Sequence, residues 1–340
     1  MFSKNRVLAI MKLHQVVLLS AAVGALSLYG CNGASAGSGT NTTPPVTPIV
    51  KPVVTPPVTP IAAKTDRPFF DENKAWAHLI KQCDFGPRPV GSEAHRKTLS
   101  YIVTEMKKYA DKTVEQNFTY KGLPLTNVIS VFNPESPKQI LILTHWDTRP
   151  RAEQELDAVN QKKPIIGASD GASGTAVLLE LARNLKEKKP EVGVILLFVD
   201  GEDHGDFAKD EGVLLGAKYF AKNHEGYHPE FGILLDMVGD KDLDIYRETS
   251  SENYAPGTNN KVFNIARELG YGKNIVDRVE TNVTDDHIPL NQSGIPTIDL
   301  IDFNYKYWHT LDDTPANCSA KSLGIVGNLI AEVIYREKKP

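Results

Sequence analysis

The sequence has no surplus of positive charge: 38 Lys and Arg stand against 42 Asp and Glu, a net charge of −4 at pH 7. No block concentrates Lys or Arg, so nucleic acid and polyanionic partners are not expected. Cysteine is scarce, and beyond Cys31 only Cys83 and Cys318 occur. Two thiols so far apart in sequence make no disulfide framework, although an oxidising compartment would let them pair. There is also no apolar run of spanning length. The longest candidate, VVLLSAAVGALSLYG at residues 16–30, falls short of the about 20 residues that a membrane helix needs. What remains is an ordinary globular mix, 41% hydrophobic and 24% charged, with no internal repeat from about residue 68 onward.

Lys4, Arg6, Lys12 and His14 precede that apolar run and Cys31 closes it, which is the layout of a secretory signal over residues 1–31. Met11 offers the more typical start. Leu28-Tyr29-Gly30-Cys31 resembles the lipobox of bacterial lipoproteins. That implies a lipidated Cys31, export, and a periplasmic or membrane-anchored protein whose membrane contact is only this lipid; a plain signal peptide is the alternative. Asn32, where Asp would favour inner-membrane retention, leans toward the outer membrane. Residues 32–67, rich in Gly and Ser and then in Pro, Val and Thr, cannot bury a core and read as a tether.

Residues 68–340 alternate strand and helix signals. EAHRKTLSYIVTEMKKYA and GTAVLLELARNLKEKK carry apolar residues at helical spacing, and so do AWAHLIKQC, KVFNIARELG and the closing AKSLGIVGNLIAEVIYREKK. LTNVISVF, QILILTHWD, VGVILLFVD, FGILLDMVG and IPTIDLID are apolar runs of buried-strand length. The pattern predicts a single α/β domain with a central mixed, largely parallel twisted sheet flanked by helices.

Polar residues gather just beyond those strands. His145 and Asp147 follow one, Glu202 and Asp203 another, Asp236 ends a third, and Trp308 and His309 follow a fourth. Ligands of open α/β sheets bind outside the carboxyl ends of strands. Asp170, in GASDGASGT before a helix, is by itself a plausible N-cap. The adjacent acids Glu202 and Asp203 are harder to explain without a cation between them. Asp170, Asp203 and His309 would give a divalent metal two carboxylates and an imidazole, leaving a position for substrate or water. Glu202 beside them would move protons, with burial raising its pKa and a metal's field lowering it.

The blocks HWDT, GASDGASG, DGED, LLDMVGD, TDDHIPL and YWHTLDDT resemble, in order and spacing, those of the zinc aminopeptidase-like family M28, and within it the glutaminyl cyclases. The likeness covers roughly residues 75–335. It implies a zinc exopeptidase-like α/β/α fold, peptide or protein substrates with N-terminal glutamine, and conversion of that residue to pyroglutamate with release of ammonia. It further implies one zinc per chain on Asp170, Asp203 and His309, Glu202 as general acid/base, and Asp236 and Asp285 as further catalytic acids. Trp308 would wall the pocket. Two departures from the animal enzymes stand out: Asp203 replaces Glu, and the second pocket tryptophan is Ala208, with Phe207 beside it as the substrate-binding aromatic. Asp312 and Asp313 are read as structural, orienting the segment or meeting loop amides. Two other readings remain: a two-zinc aminopeptidase with His145 among the second metal's ligands, and a surface lipoprotein that binds without catalysis.

Overall fold

Apolar runs without polar alternation need cover on both faces, and the sheet has it. The computed structural model describes residues 65–340; the expected signal, Cys31 and the tether up to residue 64 lie outside the described residues. The strands are β1 (Lys112–Tyr120), β2 (Leu123–Phe132), β3 (Gln139–His145), β4 (Gly193–Val199), β5 (Pro229–Asp236), β6 (Ile245–Glu248), β7 (Ile275–Thr281) and β8 (Thr297–Ile301). The main sheet runs β1-β2-β4-β3-β5-β8. Strands β4, β3, β5 and β8 are parallel, and β2 and β1 add antiparallel at one side. This is the mixed, largely parallel sheet expected from the sequence. Strands β6 and β7 form a separate parallel pair.

The helices are α1 (Glu72–Asp84), α2 (Glu93–Tyr109), α3 (Ala172–Glu187), α4 (Leu215–Lys222), α5 (Thr249–Tyr254), α6 (Pro256–Glu268), α7 (His287–Gln292) and α8 (Ala320–Arg336). Each central strand divides its side chains between two cores. Ile140, Ile142, Val194, Leu196, Phe198, Ile233 and Leu235 point to the core shared with α1, α2, α3, α6 and α8. Leu141, Leu143, Ile195, Leu197, Val199 and Leu234 point to the core shared with α4 and α7. Three helices start on conventional caps: Asp71, Ser92 and Ser319 accept backbone amides of α1, α2 and α8. The described chain begins in contact with the domain, since Thr65 Oγ1 and Arg67 Nε both donate to Glu332 Oε2. Cys83 and Cys318 are free thiols. No helix among the described residues is long and apolar enough to cross a membrane.

Helix α3 starts differently, and this brings it close to the sheet. Gly171 stands before it at φ +95°, in the region that favours glycine. A Cβ there would lie 2.6 Å from Asp147 O and 3.0 Å from His145 Cε1. One turn on, a Cβ at Gly174 would lie 2.2 Å from Thr144 Oγ1 and 2.5 Å from Leu235 O. Small residues in this segment therefore let the helix approach β3 and β5 at the strand ends. Gly174→Ala is expected to destabilise the fold by about 1–3 kcal/mol through overpacking. Urea unfolding checks this, and an unchanged midpoint and slope would contradict it.

Candidate active site and metal centre

The segments that follow β3, β4, β5 and β8 contribute to the wall of one cavity of about 530 Å3, within the size range of small-molecule sites. Asp170, Glu202, Asp203, Phe207, Asp236, Asp285, Trp308 and His309 all line it. These are the metal, catalytic and aromatic candidates expected from the sequence, brought to one place. His145 lies behind this wall, fully buried, with Nε2 3.0 Å from Asp236 Oδ1 and 3.2 Å from Asp170 Oδ1. Ala208 lines a smaller neighbouring groove with Phe207.

Among the described residues, two groups of three side chains bring donor atoms within 4.8 Å of one another: Asp170 with Asp203 and His309, and His145 with Asp170 and Asp236. In the first, His309 Nε2 is 3.3 Å from Asp203 Oδ1 and 3.6 Å from Asp170 Oδ2. Asp203 Oδ2 is buried with no hydrogen-bond partner. An orphaned carboxylate oxygen beside an imidazole and a second buried carboxylate is a donor set suited to a divalent metal of the zinc type.

Electrostatics agree with that fit. Burial, reinforced by Asp203, pushes the Asp170 carboxyl up to about 7. Burial and then Asp203 also push Glu202 well above the ordinary carboxylate range. Asp285 is raised in the same way by burial, Asp236 and Asp286. For Asp203, burial acts upward but His309 and Arg149 outweigh it and hold the group at about 2. For His309, burial acts downward but Asp203 and Glu153 outweigh it, raising the imidazole to about 10. This crowd of buried acids is short of positive charge, which a bound cation supplies.

The backbone is bent to deliver these groups. His309 and Met237, both at the cavity wall, adopt left-handed φ values of +54° and +48°, a conformation that costs energy outside glycine and concentrates at functional sites. Trp308 stacks on His309, with ring centroids 4.1 Å apart and planes at 25°, and the exposed Phe303 ring lies 5.3 Å from it. Asp313 is fully buried and accepts from the amides of Ser169 and Asp170 and from the Tyr305 hydroxyl. That is the amide-meeting role expected of it. Asp312 is exposed.

Several further residues hold the site, and of these the sequence reading singles out Asp147 alone. Asp147 accepts from the amides of Glu202 and Asp203, at 3.1 and 3.2 Å, and so fixes the loop after β4. Arg88, fully buried, donates to the carbonyls of Trp146, Ile166 and Gly167. It ties the loop after β3 to the segment carrying Asp170. Arg149 and Glu153 contact Asp203 and His309. In the sequence Asp147 stands beside His145 in the HWD block, beyond the strand end. Arg88, Arg149 and Glu153 had no such signal.

The sequence profile of peptidase family M28 matches residues 127–334, most of the chain. The chain belongs to peptidase family M28. Among curated relatives of this M28 chain, the glutaminyl-peptide cyclotransferase of Drosophila melanogaster is 27% identical over 259 residues, covering 67% of this chain and 70% of the relative. Among solved structures, the glutaminyl cyclase of Bacteroides thetaiotaomicron bound to N-acetylhistamine is 38% identical, with a TM-score of 0.77 and coverage of 80% and 100%. A structure from the same organism described as a leucine aminopeptidase precursor is also 38% identical, with a TM-score of 0.78 and coverage of 81% and 100%.

Proposed function

We propose that this M28 protein is a zinc-dependent glutaminyl cyclase, which converts N-terminal glutamine of peptides to pyroglutamate with release of ammonia. The observation that carries the reading is the juxtaposition of Asp170, Asp203 and His309 with Glu202 and Trp308 on one cavity wall. The curated and structural relatives that carry the cyclase name support it.

The reaction forms a bond between the α-amine nitrogen and the γ-carbonyl carbon and breaks the bond from that carbon to the amide nitrogen, which leaves as ammonia. The amine is its own nucleophile, so no activated water is needed. Asp170, Asp203 and His309 would hold the zinc, which when bound would supply positive charge to polarise the γ-carbonyl. Glu202 takes a proton from the attacking amine and passes it to the departing nitrogen, a task suited to a carboxyl that burial and Asp203 raise well above the ordinary carboxylate range. Asp236 and Asp285 orient the amine and the leaving group. Trp308 and Phe207 pack against the glutamine side chain and hold it folded, lowering the entropic cost of ring closure. Trp308→Ala is expected to lower kcat/KM about 10–100-fold, with kcat falling as well as KM rising, which a Michaelis series on a Gln-initiated dipeptide checks.

A second reading, a two-zinc aminopeptidase, is favoured by one observation: His145, Asp170 and Asp236 also gather donor atoms. We assign one zinc, because Asp170, Asp203 and His309 all line the cavity whereas His145 does not. The test compares ammonia release from a Gln-initiated dipeptide with amine release from a Leu-arylamide, before and after chelation, together with zinc per chain. Amine release with two zinc ions would replace the cyclase reading by the peptidase one. Export and a lipid on Cys31 are proposed from the sequence alone, and intact-mass measurement of the membrane fraction tests them.

A further inference from the structure

The loop after β3 does more than connect. Arg149 Nη1 donates to the backbone carbonyl of Asp203 at 2.9 Å and lies 3.3 Å from its Oδ1. Arg149 Nε donates to Glu153 Oε1 at 2.7 Å. The same Glu153 oxygen is 3.2 Å from His309 Nδ1. The backbone completes the attachment: the Gln154 amide donates to the His309 carbonyl at 3.2 Å, and Glu155 Oε1 accepts the Leu311 amide at 2.9 Å. One short segment therefore grips, from outside the cavity, the two loops that carry Asp203 and His309. Those loops come from different strands and share no direct backbone link.

From this geometry we infer that Arg149 and Glu153 are positioning residues for the metal, with Glu153 fixing the His309 ring and Arg149 tying Glu153 to Asp203. An imidazole can offer a metal only the nitrogen that carries no proton, and the hydrogen bond at the other nitrogen decides which one that is. Glu153 Oε1 is the carboxylate oxygen facing Nδ1, 3.2 Å away without an aligned hydrogen bond, and its negative charge favours the proton on that nitrogen. Nε2, which faces Asp170 and Asp203, is left with its lone pair toward them. Arg149 keeps the Glu153 carboxylate ionised and aimed, and it neutralises charge that would otherwise repel Asp203. The left-handed backbone at His309 makes such external support necessary, because the chain does not hold that conformation by itself. This inference rests on the metal reading of Asp170, Asp203 and His309.

The test is zinc affinity of the full chain, stripped of metal and titrated with zinc against a fluorescent chelator, for the parent, Glu153→Ala and Glu153→Gln. Glu153→Ala is expected to weaken zinc about 10–100-fold, the usual cost of removing an outer partner of a metal-bound histidine. Glu153→Gln, which keeps an acceptor oxygen but loses the charge, is expected between Ala and the parent. It also serves if the Ala variant does not fold. A second readout is the His309 ring in long-range proton–nitrogen spectra of the zinc-loaded protein. The parent shows the proton on Nδ1, and the Ala variant shows broadening or a mixed population. Affinities within twofold of the parent, with an unchanged His309 spectrum, would overturn the positioning role while leaving the metal site intact. A parent that takes up no zinc would overturn the metal reading and this inference with it.

Discussion

Glu202→Gln is expected to lower kcat on a Gln-initiated dipeptide by about 10²–10⁴-fold, the range for losing a positioned general acid/base, with zinc content and melting temperature near the parent's. The substitution is nearly isosteric, and Glu202 makes no close side-chain ion pair: its nearest imidazole contact is His145 Nδ1 at 3.9 Å. Its removal therefore subtracts proton transfer and little else. Because burial, and after it repulsion from Asp203, raises the Glu202 carboxyl, a neutral Gln should bring a small gain in stability rather than a loss. A variant that turns over at the parent's rate would remove the proton-transfer role. One that also loses zinc would show Glu202 to be part of the metal's support.

His309→Ala is expected to abolish stoichiometric zinc binding and reduce kcat/KM by three powers of ten or more, about 4 kcal/mol at ~1.4 kcal/mol per tenfold. His309 is the only imidazole in the group with Asp170 and Asp203. Without it, two buried carboxylates face each other with no nitrogen donor between them. Chelation of the parent is expected to give the same loss, and added zinc to reverse it; the variant should not recover. Metal analysis after gel filtration and the two activity assays check this. Retention of one zinc per chain by the variant would place the tightly held ion on His145, Asp170 and Asp236 instead, which is the arrangement of the two-metal reading.

The strands and helices with strong periodicity were readable because burial leaves a local imprint. Strands β3 and β4 are covered on both sides, so each must be apolar throughout, and α3 must be apolar on one face. Strand β1 was missed for the complementary reason. KTVEQNFTY lies at the sheet's edge with alternate residues only half buried, so its composition is close to that of a loop. Helices α5 and α7 are single short turns, TSSENY and HIPLNQ. The first depends on Glu248 accepting the amides of Ser250 and Ser251, and the second contains a proline. Neither has enough turns to show a period.

By itself the sequence determined the α/β class, the parallel core strands, and the set of acids, imidazole and tryptophan that lie at the strand ends. It could do so because each of those groups sits at a fixed offset from an element with its own local signature. Only the tertiary structure decided which of them meet. It showed that Asp170 is offered to both His309 and His145, that Asp313 from a later loop holds the amides of the Asp170 segment, and that Arg149 and Glu153 brace Asp203 and His309. Contacts between loops from different strands are set by how the strands pack side by side. No spacing along the chain encodes a distance of that kind.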